Sequence, residues 1–243
     1  MPNRNITKDM LFRIKNKEYF FNISQKNPFN LFYIEKDYDS NIDIINNPKN
    51  NIQIIITRYN ECINWAKKFN NILLYNKGNQ NDPILNDFNY INIPNVGRDI
   101  HTIFYHIYHN YDSLNDYTVF LQGFAHDHSP NLNKNMNKII DRINKNEHIP
   151  NLYKDLGELI LDGKIFCHQN INIMNDVYER IFGEKMGDKK VMFCSGAQFI
   201  VSRENILKRS RDFYKNIMDM LDYTNMPYEI FEVERFIQVI FNL

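Results

Sequence analysis

Short apolar runs alternate with helical patterns over most of this chain. Residues 52–57 form a mostly β-branched run, typical of a strand buried on both faces. Further strand-like runs lie at 71–75, 90–93, 117–121 and 198–202. Helical periodicity predicts helices at 62–69, 99–110, 137–143, 152–161, 176–182, 212–223 and 228–241.

This alternation predicts the fold class. Strands separated by helices are typical of an α/β fold with a mostly parallel central sheet flanked by helices, Rossmann-like, with ligands at the carboxyl ends of the strands. We assign residues 51–243 to one such domain, which is long enough to bury a core. Residues 1–50 are polar and interrupted, and we interpret them as an N-terminal extension with short strand-like runs and an Asn-rich linker.

Charge and cysteine content exclude several classes of function. Lys plus Arg and Asp plus Glu are equal at 29 each, so no overall field attracts nucleic acid or an anionic membrane. Cys62, Cys167 and Cys194 are widely spaced, which indicates free thiols in a reducing compartment. The sequence shows neither a signal peptide nor the roughly 18 apolar residues of a membrane span. We therefore expect a soluble, cytoplasmic protein.

The end of the first predicted strand carries Arg58, Tyr59, Asn60 and Glu61. At the ligand edge of a parallel sheet, a planar side chain stacks on a base, a carboxylate binds ribose hydroxyls and arginine pairs with phosphate. These four residues are candidates for nucleotide binding. The alternative is a helix start, with Asn60 as N-cap and Glu61 in the first turn.

The turn at 95–99 is a second candidate site. Gly97 allows a ligand to approach the backbone, Arg98 can grip a diphosphate, and Asp99 can cap the helix or face a sugar hydroxyl. The alternative is a surface pair between Arg98 and Asp99. His101 lies one turn further on, and its residue type fits a site or a structural role equally well.

Two other histidines of the same predicted helix have a different expected role. The apolar positions of this helix fall on one face, and His106 and His109 lie opposite them. We interpret both as part of a solvated surface.

The strand at 117–121 leads into Gln122-Gly123 and then His126-Asp127-His128. In an extended segment alternate side chains share a side, so His126 and His128 could converge on a metal, with further ligands from Cys167-His168. No spaced ligand set of the H-E-x-x-H type accompanies them. A loosely held Mn or Mg that arrives with a substrate phosphate stays open, with Asp127 and His128 as its candidate ligands.

The last part of the chain offers small residues and a carboxylate. Ser195 and Gly196 would let a sugar approach the backbone, and Cys194 is interpreted as a buried thiol. Glu232 and Glu234 lie in an otherwise apolar run, where burial would raise a carboxylate pKa toward that of a general base. A salt bridge to Arg235 or simple exposure is the alternative.

A series of motifs resembles a known family. In order along the chain they are R-Y-N-E (58–61), Y-N-K-G (75–78), N-V-G-R-D-x-H-T (95–102), H-x-x-x-N-Y-D-x-L (106–114), V-F-L-Q-G (119–123), C-S-G-A-Q-F-I-V-S-R-E (194–204) and P-Y-x-x-F-E…E-R (227–235). Together they resemble the family catalogued as domain of unknown function 3431, over residues 52–241. That family has no settled activity.

The same order of features is similar, more distantly, to A-type glycosyltransferases. The similarity implies a nucleotide-sugar donor, an unknown acceptor and Mn or Mg bound with the donor. The chain departs from that pattern at the D-x-D metal motif, because the strand ends in neutral Gln122 followed by Gly123. Asp127 or His128 would then take over the metal, or the protein would work without one or lack activity.

The sequence therefore supports three hypotheses. In the first, a glycosyltransferase uses residues 59–61 for the nucleotide, Arg98 for the diphosphate, Asp99 for the ribose or donor sugar, and Glu234 as the base. The second is a noncatalytic carbohydrate- or nucleotide-binding protein on the same scaffold, for which Gln122 is the main argument. The third is a metal-dependent hydrolase centred on residues 126–128.

Overall fold

The computed structural model describes residues 42–45, 51–147, 159–161, 171–189, 191–194 and 196–242. The strands are β1 (Ile52–Arg58), β2 (Ile72–Asn76), β3 (Tyr90–Asn92), β4 (Tyr117–Gln122), β5 (Leu159–Leu161), β6 (Met192–Cys194) and β7 (Phe199–Ser202). The α-helices are α1 (Arg98–Asn110), α2 (Leu132–Asn144), α3 (Ile171–Phe182), α4 (Arg203–Leu207), α5 (Arg211–Leu221), α6 (Ile230–Arg235) and α7 (Ile237–Phe241). Short 3-10 helices lie at Asn64–Lys68, Pro83–Asp87 and Ala125–Asp127.

Five strands form the central sheet in the order β3-β2-β1-β4-β7. The first four are parallel to one another, and β7 is antiparallel to β4. A separate antiparallel pair joins β5 to β6. This is the predicted α/β fold, with a mostly parallel sheet flanked by helices.

Strand β1 is buried on both faces, as its β-branched composition predicts, whereas edge strand β3 is exposed. Successive strand residues point to opposite faces. Ile54 and Ile56 therefore pack with α2 and the Asn64–Lys68 helix, whereas Ile55 packs with α1 and the C-terminal helices. The larger of the two cores contains α1 and α5, which pack closely together.

Helix α1 is buried on two sides, which contradicts the expectation for His106. Phe104 stacks on Tyr214 of α5, while the opposite side of α1 faces the sheet. His106 lies on that side, fully buried, with Nδ1 3.1 Å from the hydroxyl of Tyr75. The prediction of a solvated position was wrong because a helix between a sheet and a second helix buries more than its apolar stripe. His109 is exposed, as predicted.

Three other predicted elements differ from the structure. The helix predicted at 62–69 is the 3-10 helix Asn64–Lys68, and the one predicted at 228–241 is divided at Phe236 into α6 and α7. Of the helix predicted at 152–161, residues 152–158 lie outside the described residues, while the remainder is β5, so that part was wrong. A short apolar run has no clear period of its own, and pairing with β6 determines its conformation.

Part of the predicted N-terminal extension runs along α2. Side-chain amides of α2 donate to the backbone carbonyls of Ile42 (Asn133 Nδ2, 3.0 Å) and Asp43 (Asn137 Nδ2, 2.7 Å). The rest of residues 1–50 lies outside the described residues. Within the described ranges, no helix combines the length and the apolar character needed to cross a membrane.

Candidate functional site

The candidate site lies at the carboxyl edge of the parallel strands. Strands β1, β2 and β4 end there at Arg58, Asn76 and Gln122. The chain continues from β1 to β2 and β3 on one side, whereas β4 lies on the other side of β1. Ligands of open α/β sheets bind where the strand order reverses in this way, which here is between β1 and β4.

Glu61 closes the loop after β1 and faces the end of β4. Its Oε2 accepts hydrogen bonds from the backbone N–H groups of Tyr59 (2.7 Å) and Asn60 (3.2 Å). A Cβ on Gly123 would lie 2.6 Å from the same oxygen. The absence of a side chain at Gly123 therefore leaves room for the Glu61 carboxylate. Both residues line the gap between the ends of β1 and β4, where the strand order reverses.

Arg58 and Tyr59 have opposite environments. Arg58 is 1% exposed and joins strand ends, because its guanidinium donates to Glu61 O (2.9 Å) and Asn76 Oδ1 (3.1 Å) and pairs with Asp82. Tyr59 is 51% exposed at the ligand edge. The tyrosine ring is therefore accessible for stacking, while the arginine side chain is engaged within the protein.

The turn before α1 has a left-handed backbone. Gly97 (φ 55°) and Arg98 (φ 46°) are both left-handed, and Gly97 N–H donates to Thr224 O at 2.8 Å. A Cβ on Gly97 would lie 2.9 Å from Leu221 O, so only glycine fits. The Arg98 side chain is exposed, with Nη1 3.7 Å from Met226 Sδ. Among the described residues Arg98 forms no ion pair, which leaves its guanidinium available to an anion.

Asp99 connects this turn to the end of β4. Its Oδ2 accepts a 2.6 Å hydrogen bond from Gln122 Nε2, and its Oδ1 accepts one from Ile100 N at 3.1 Å. The structure thus brings together two residues that are 23 positions apart in the sequence. The Asp99 carboxylate is held in one orientation at the start of α1.

Glu234 lies on α6, where its carboxylate interacts electrostatically with Asp99. The carboxylate is half-buried, and its Oε1 accepts a hydrogen bond from Gly196 N at 2.7 Å. Burial, and then the negative charge of Asp99, raise the pKa of Glu234 to about 7, against the opposing effects of the Gly196 hydrogen bond, of Arg235 and of Arg98. A carboxylate with this pKa can accept a proton at neutral pH.

Gly196 lies between Glu234 and His128. It has φ 86°, and a Cβ built on it would be 2.5 Å from Cγ of the His128 ring. The imidazole therefore packs on the glycine backbone. Ser195, the neighbouring predicted residue, lies outside the described residues.

The histidines after β4 do not converge. Residues Ala125–Asp127 form a 3-10 helix rather than an extended segment. His126 is buried with its ring edge-on to Trp65 (5.5 Å), whereas His128 contacts Gly196. Within the described ranges, no group of three or more His, Cys, Asp or Glu side chains is arranged to hold a metal. Cys167 and His168 are outside those ranges.

The sequence did not single out Lys77, which the structure places beside the Gly97 turn. Lys77 follows β2 and is 7% exposed, and its Nζ donates to Val96 O (2.6 Å) and Arg98 O. Burial lowers its pKa to about 7, with Asp99 acting in the opposite direction. A lysine after a strand is usually a surface residue, so only the Y-N-K-G motif marked this position.

Two further titratable groups are buried near the site. His101 is 4% exposed, and burial together with the charge of Lys77 lowers its pKa to about 3. Glu232 is 2% exposed, and burial raises its pKa to about 7. His101 is therefore a neutral residue behind the turn.

Comparison with known proteins identified one family. The family model described as "Protein of unknown function (DUF3431)" matches residues 54–242. No curated protein and no solved structure gave a significant match.

Proposed function

For this chain, which belongs to the DUF3431 family of proteins of unknown function, we propose the activity of a glycosyltransferase that moves a sugar from a nucleotide-sugar donor to a hydroxyl acceptor. The family supplies no activity to carry over. The proposal therefore depends on the site, and above all on Glu234, a half-buried carboxylate with a pKa of about 7 beside the carboxyl edge of the sheet.

In the proposed reaction Glu234 removes the proton of the acceptor hydroxyl. The acceptor oxygen then forms a bond to the anomeric carbon, and the bond from that carbon to the diphosphate oxygen breaks. The leaving nucleoside diphosphate takes the electron pair, and its charge is balanced by Arg98, which has no ion-pair partner among the described residues. Asp99 faces the ribose or donor sugar, and Tyr59 stacks on the base.

The residues at the end of β4 do not fit a resident divalent ion. Gln122 is neutral, and its amide donates to Asp99 Oδ2, while Asp99 Oδ1 accepts a second hydrogen bond. A metal would have to displace these hydrogen bonds, and Gln122 and Asp99 together would supply it with only one carboxylate. We therefore assign no step to a metal and treat Mn or Mg only as a companion of the donor phosphates.

The test is release of nucleoside diphosphate from a panel of nucleotide sugars. We expect turnover with at least one donor, and loss of turnover in Glu234→Gln with donor binding retained. Glu232→Gln is the matched control, because it removes the neighbouring carboxylate of similar pKa. Turnover that survives in Glu234→Gln would remove this carboxylate from the mechanism.

A noncatalytic nucleotide- or carbohydrate-binding protein is the second candidate. The observation that favours it is Gln122, which donates a hydrogen bond to Asp99 at the position where the D-x-D metal motif of A-type glycosyltransferases would be expected. Binding of a nucleotide sugar without turnover of any donor in the panel would support this alternative.

A further inference from the structure

Lys77 connects two strand ends to the turn that carries Arg98. Its backbone N–H donates to Arg58 O at the end of β1 (2.8 Å). Its side chain extends to the turn before α1, where Nζ contacts the carbonyls of Val96 and Arg98, on either side of Gly97. A single ammonium group thus bridges β2 to a turn about 20 residues away.

The turn needs such support. Arg98 is a non-glycine residue with φ 46°, in the left-handed region that residues with a Cβ adopt only at an energetic cost. Lys77 holds the turn from one side, and Thr224 O holds Gly97 from the other. In the turn held by these hydrogen bonds, the Arg98 side chain is exposed to solvent and the Asp99 carboxylate faces Gln122.

We propose that Lys77 is a positioning residue for the donor diphosphate: it holds the 96–98 turn so that Arg98 faces the ligand, and it adds a second positive charge behind Arg98. This inference rests on the proposed function, because it concerns the same phosphate site. A neutral donor would satisfy the same two carbonyls, whereas a buried ammonium is costly unless an anion balances it. Asp99 supplies part of that negative charge, and the bound diphosphate supplies the rest.

The interaction between the charge of Lys77 and that of a bound diphosphate can be measured as protons taken up on binding. The charged or titratable groups around this position are Arg58 at the end of β1, Arg98, Asp99 and His101 on α1, and beyond them Asp219 on α5 and Glu234 on α6. Burial leaves Lys77 with a pKa of about 7, so it is only partly protonated at pH 7.5. A diphosphate nearby raises that pKa, and binding then draws in a proton.

The experiment is titration calorimetry with inorganic pyrophosphate at pH 7.5, in buffers that differ in ionisation enthalpy. Glu234→Gln is the background, because Glu234 also titrates near pH 7. Pyrophosphate carries a proton of its own at pH 7.5 and can release it on binding, so the quantity compared is the net number of protons taken up by the two variants. We expect this number to be higher in the background than in Glu234→Gln/Lys77→Met, because only the background contains the Lys77 amine. Affinity for pyrophosphate should also fall by about tenfold or more in the double variant.

Lys67→Met in the same background is the control. It removes an equal charge from a half-exposed lysine that pairs with Asp87 at 2.8 Å, and we expect affinity within about twofold of the background. If Lys77→Met fails to fold, Lys77→Gln replaces it, since this side chain keeps a donor and loses the charge.

Two results would overturn the inference in different ways. Unchanged affinity and unchanged proton uptake without Lys77 would make this lysine a purely structural clamp and leave the proposed function intact. Absence of pyrophosphate binding in the Glu234→Gln protein that retains Lys77 would reject the phosphate site itself, and the proposed function with it.

Discussion

At the scale of single residues, Arg98 offers the most direct test of the phosphate site. Its side chain is exposed, and among the described residues its guanidinium forms a hydrogen bond with Met226 Sδ and no ion pair. We expect Arg98→Ala to weaken binding of a nucleoside diphosphate by about 1.5–3 kcal/mol, as for a charged hydrogen bond, with little change in melting temperature. Calorimetric titration and thermal unfolding measure the two effects.

Arg98→Gly separates binding from stability further. Glycine adopts a φ of 46° without strain, so this variant should be as stable as the wild type or slightly more so, while it loses affinity like Arg98→Ala. A loss of stability in both variants that matches the loss of affinity would make Arg98 structural.

The pH dependence of turnover tests Glu234 as the base. Because its pKa is about 7, we expect the rate to rise with pH below that value and to level off above it. The negative charge of Asp99 contributes to the raised pKa, so Asp99→Asn should lower it and shift the rising limb to more acidic pH, whatever its effect on the maximum rate. An unshifted limb would show that Asp99 does not influence the base.

At the scale of elements, Gly78 fixes how β2 leaves the sheet beside β1. A Cβ on Gly78 would lie 1.3 Å from Tyr59 O and 2.4 Å from Asn60 Oδ1. Gly78→Ala should therefore separate the two loops and lower the free energy of unfolding by roughly 2–4 kcal/mol in denaturant titrations.

Gly183, which follows α3, is the matched control for Gly78. It has φ 72°, and an added Cβ would meet nothing within 4 Å, so Gly183→Ala should cost only the left-handed conformation, about 1 kcal/mol. Equal losses in the two variants would mean that contact with the β1 loop is unimportant.

At the scale of the whole molecule, buried histidines contribute to the loss of stability in acid. Burial lowers the pKa of His106 to about 4 and is the main reason why that of His101 is about 3. Between these values and about 6.5 the unfolded chain binds more protons than the folded protein. The contribution of these two histidines to the free energy of unfolding therefore falls as the pH decreases through this range.

Glu232 and Glu234 act in the opposite direction. Both have a pKa of about 7, so the folded protein binds more protons than the unfolded chain between about 4.5 and 7, and their contribution decreases as pH rises through that range. We expect the two effects to offset each other near pH 5–6, and stability to fall steeply below about 4.5.

Variants separate these contributions in denaturant unfolding at several pH values. His106→Gln should become more stable relative to wild type by roughly 2–3 kcal/mol as the pH falls from 6.5 to 4. Glu232→Gln should instead gain relative stability as the pH rises from 4.5 to 7. Parallel curves for the variants and wild type would contradict this assignment.

Metal content is a second property of the whole protein. Because Gln122 donates to Asp99 where a metal ligand would be required, we expect purified protein to contain no stoichiometric metal, and Mn to tighten binding of a nucleoside diphosphate only modestly. Elemental analysis after dialysis measures this. One retained equivalent of zinc would instead favour the metal-dependent hydrolase.

Local pattern in the sequence predicted the fold class and most elements of the sheet. The strands at 52–57, 71–75 and 117–121 and the helix at 99–110 were predicted within a few residues, because burial on both faces requires long apolar runs and α1 has a clear helical period. The family was also identified correctly from ordered motifs. These features are encoded in neighbouring residues, where sequence reasoning is strongest.

Tertiary structure decided how the polar residues are used. Arg58, a candidate nucleotide ligand, connects the ends of two strands by hydrogen bonds. His106 is buried on the side of α1 that faces the sheet. The position of Lys77 beside the Gly97 turn depends on how β2 packs near that turn, which the local sequence does not show. Burial, hydrogen-bond partners and pKa depend on residues distant in the sequence, so the residue types alone gave candidates and the packing gave each one its environment.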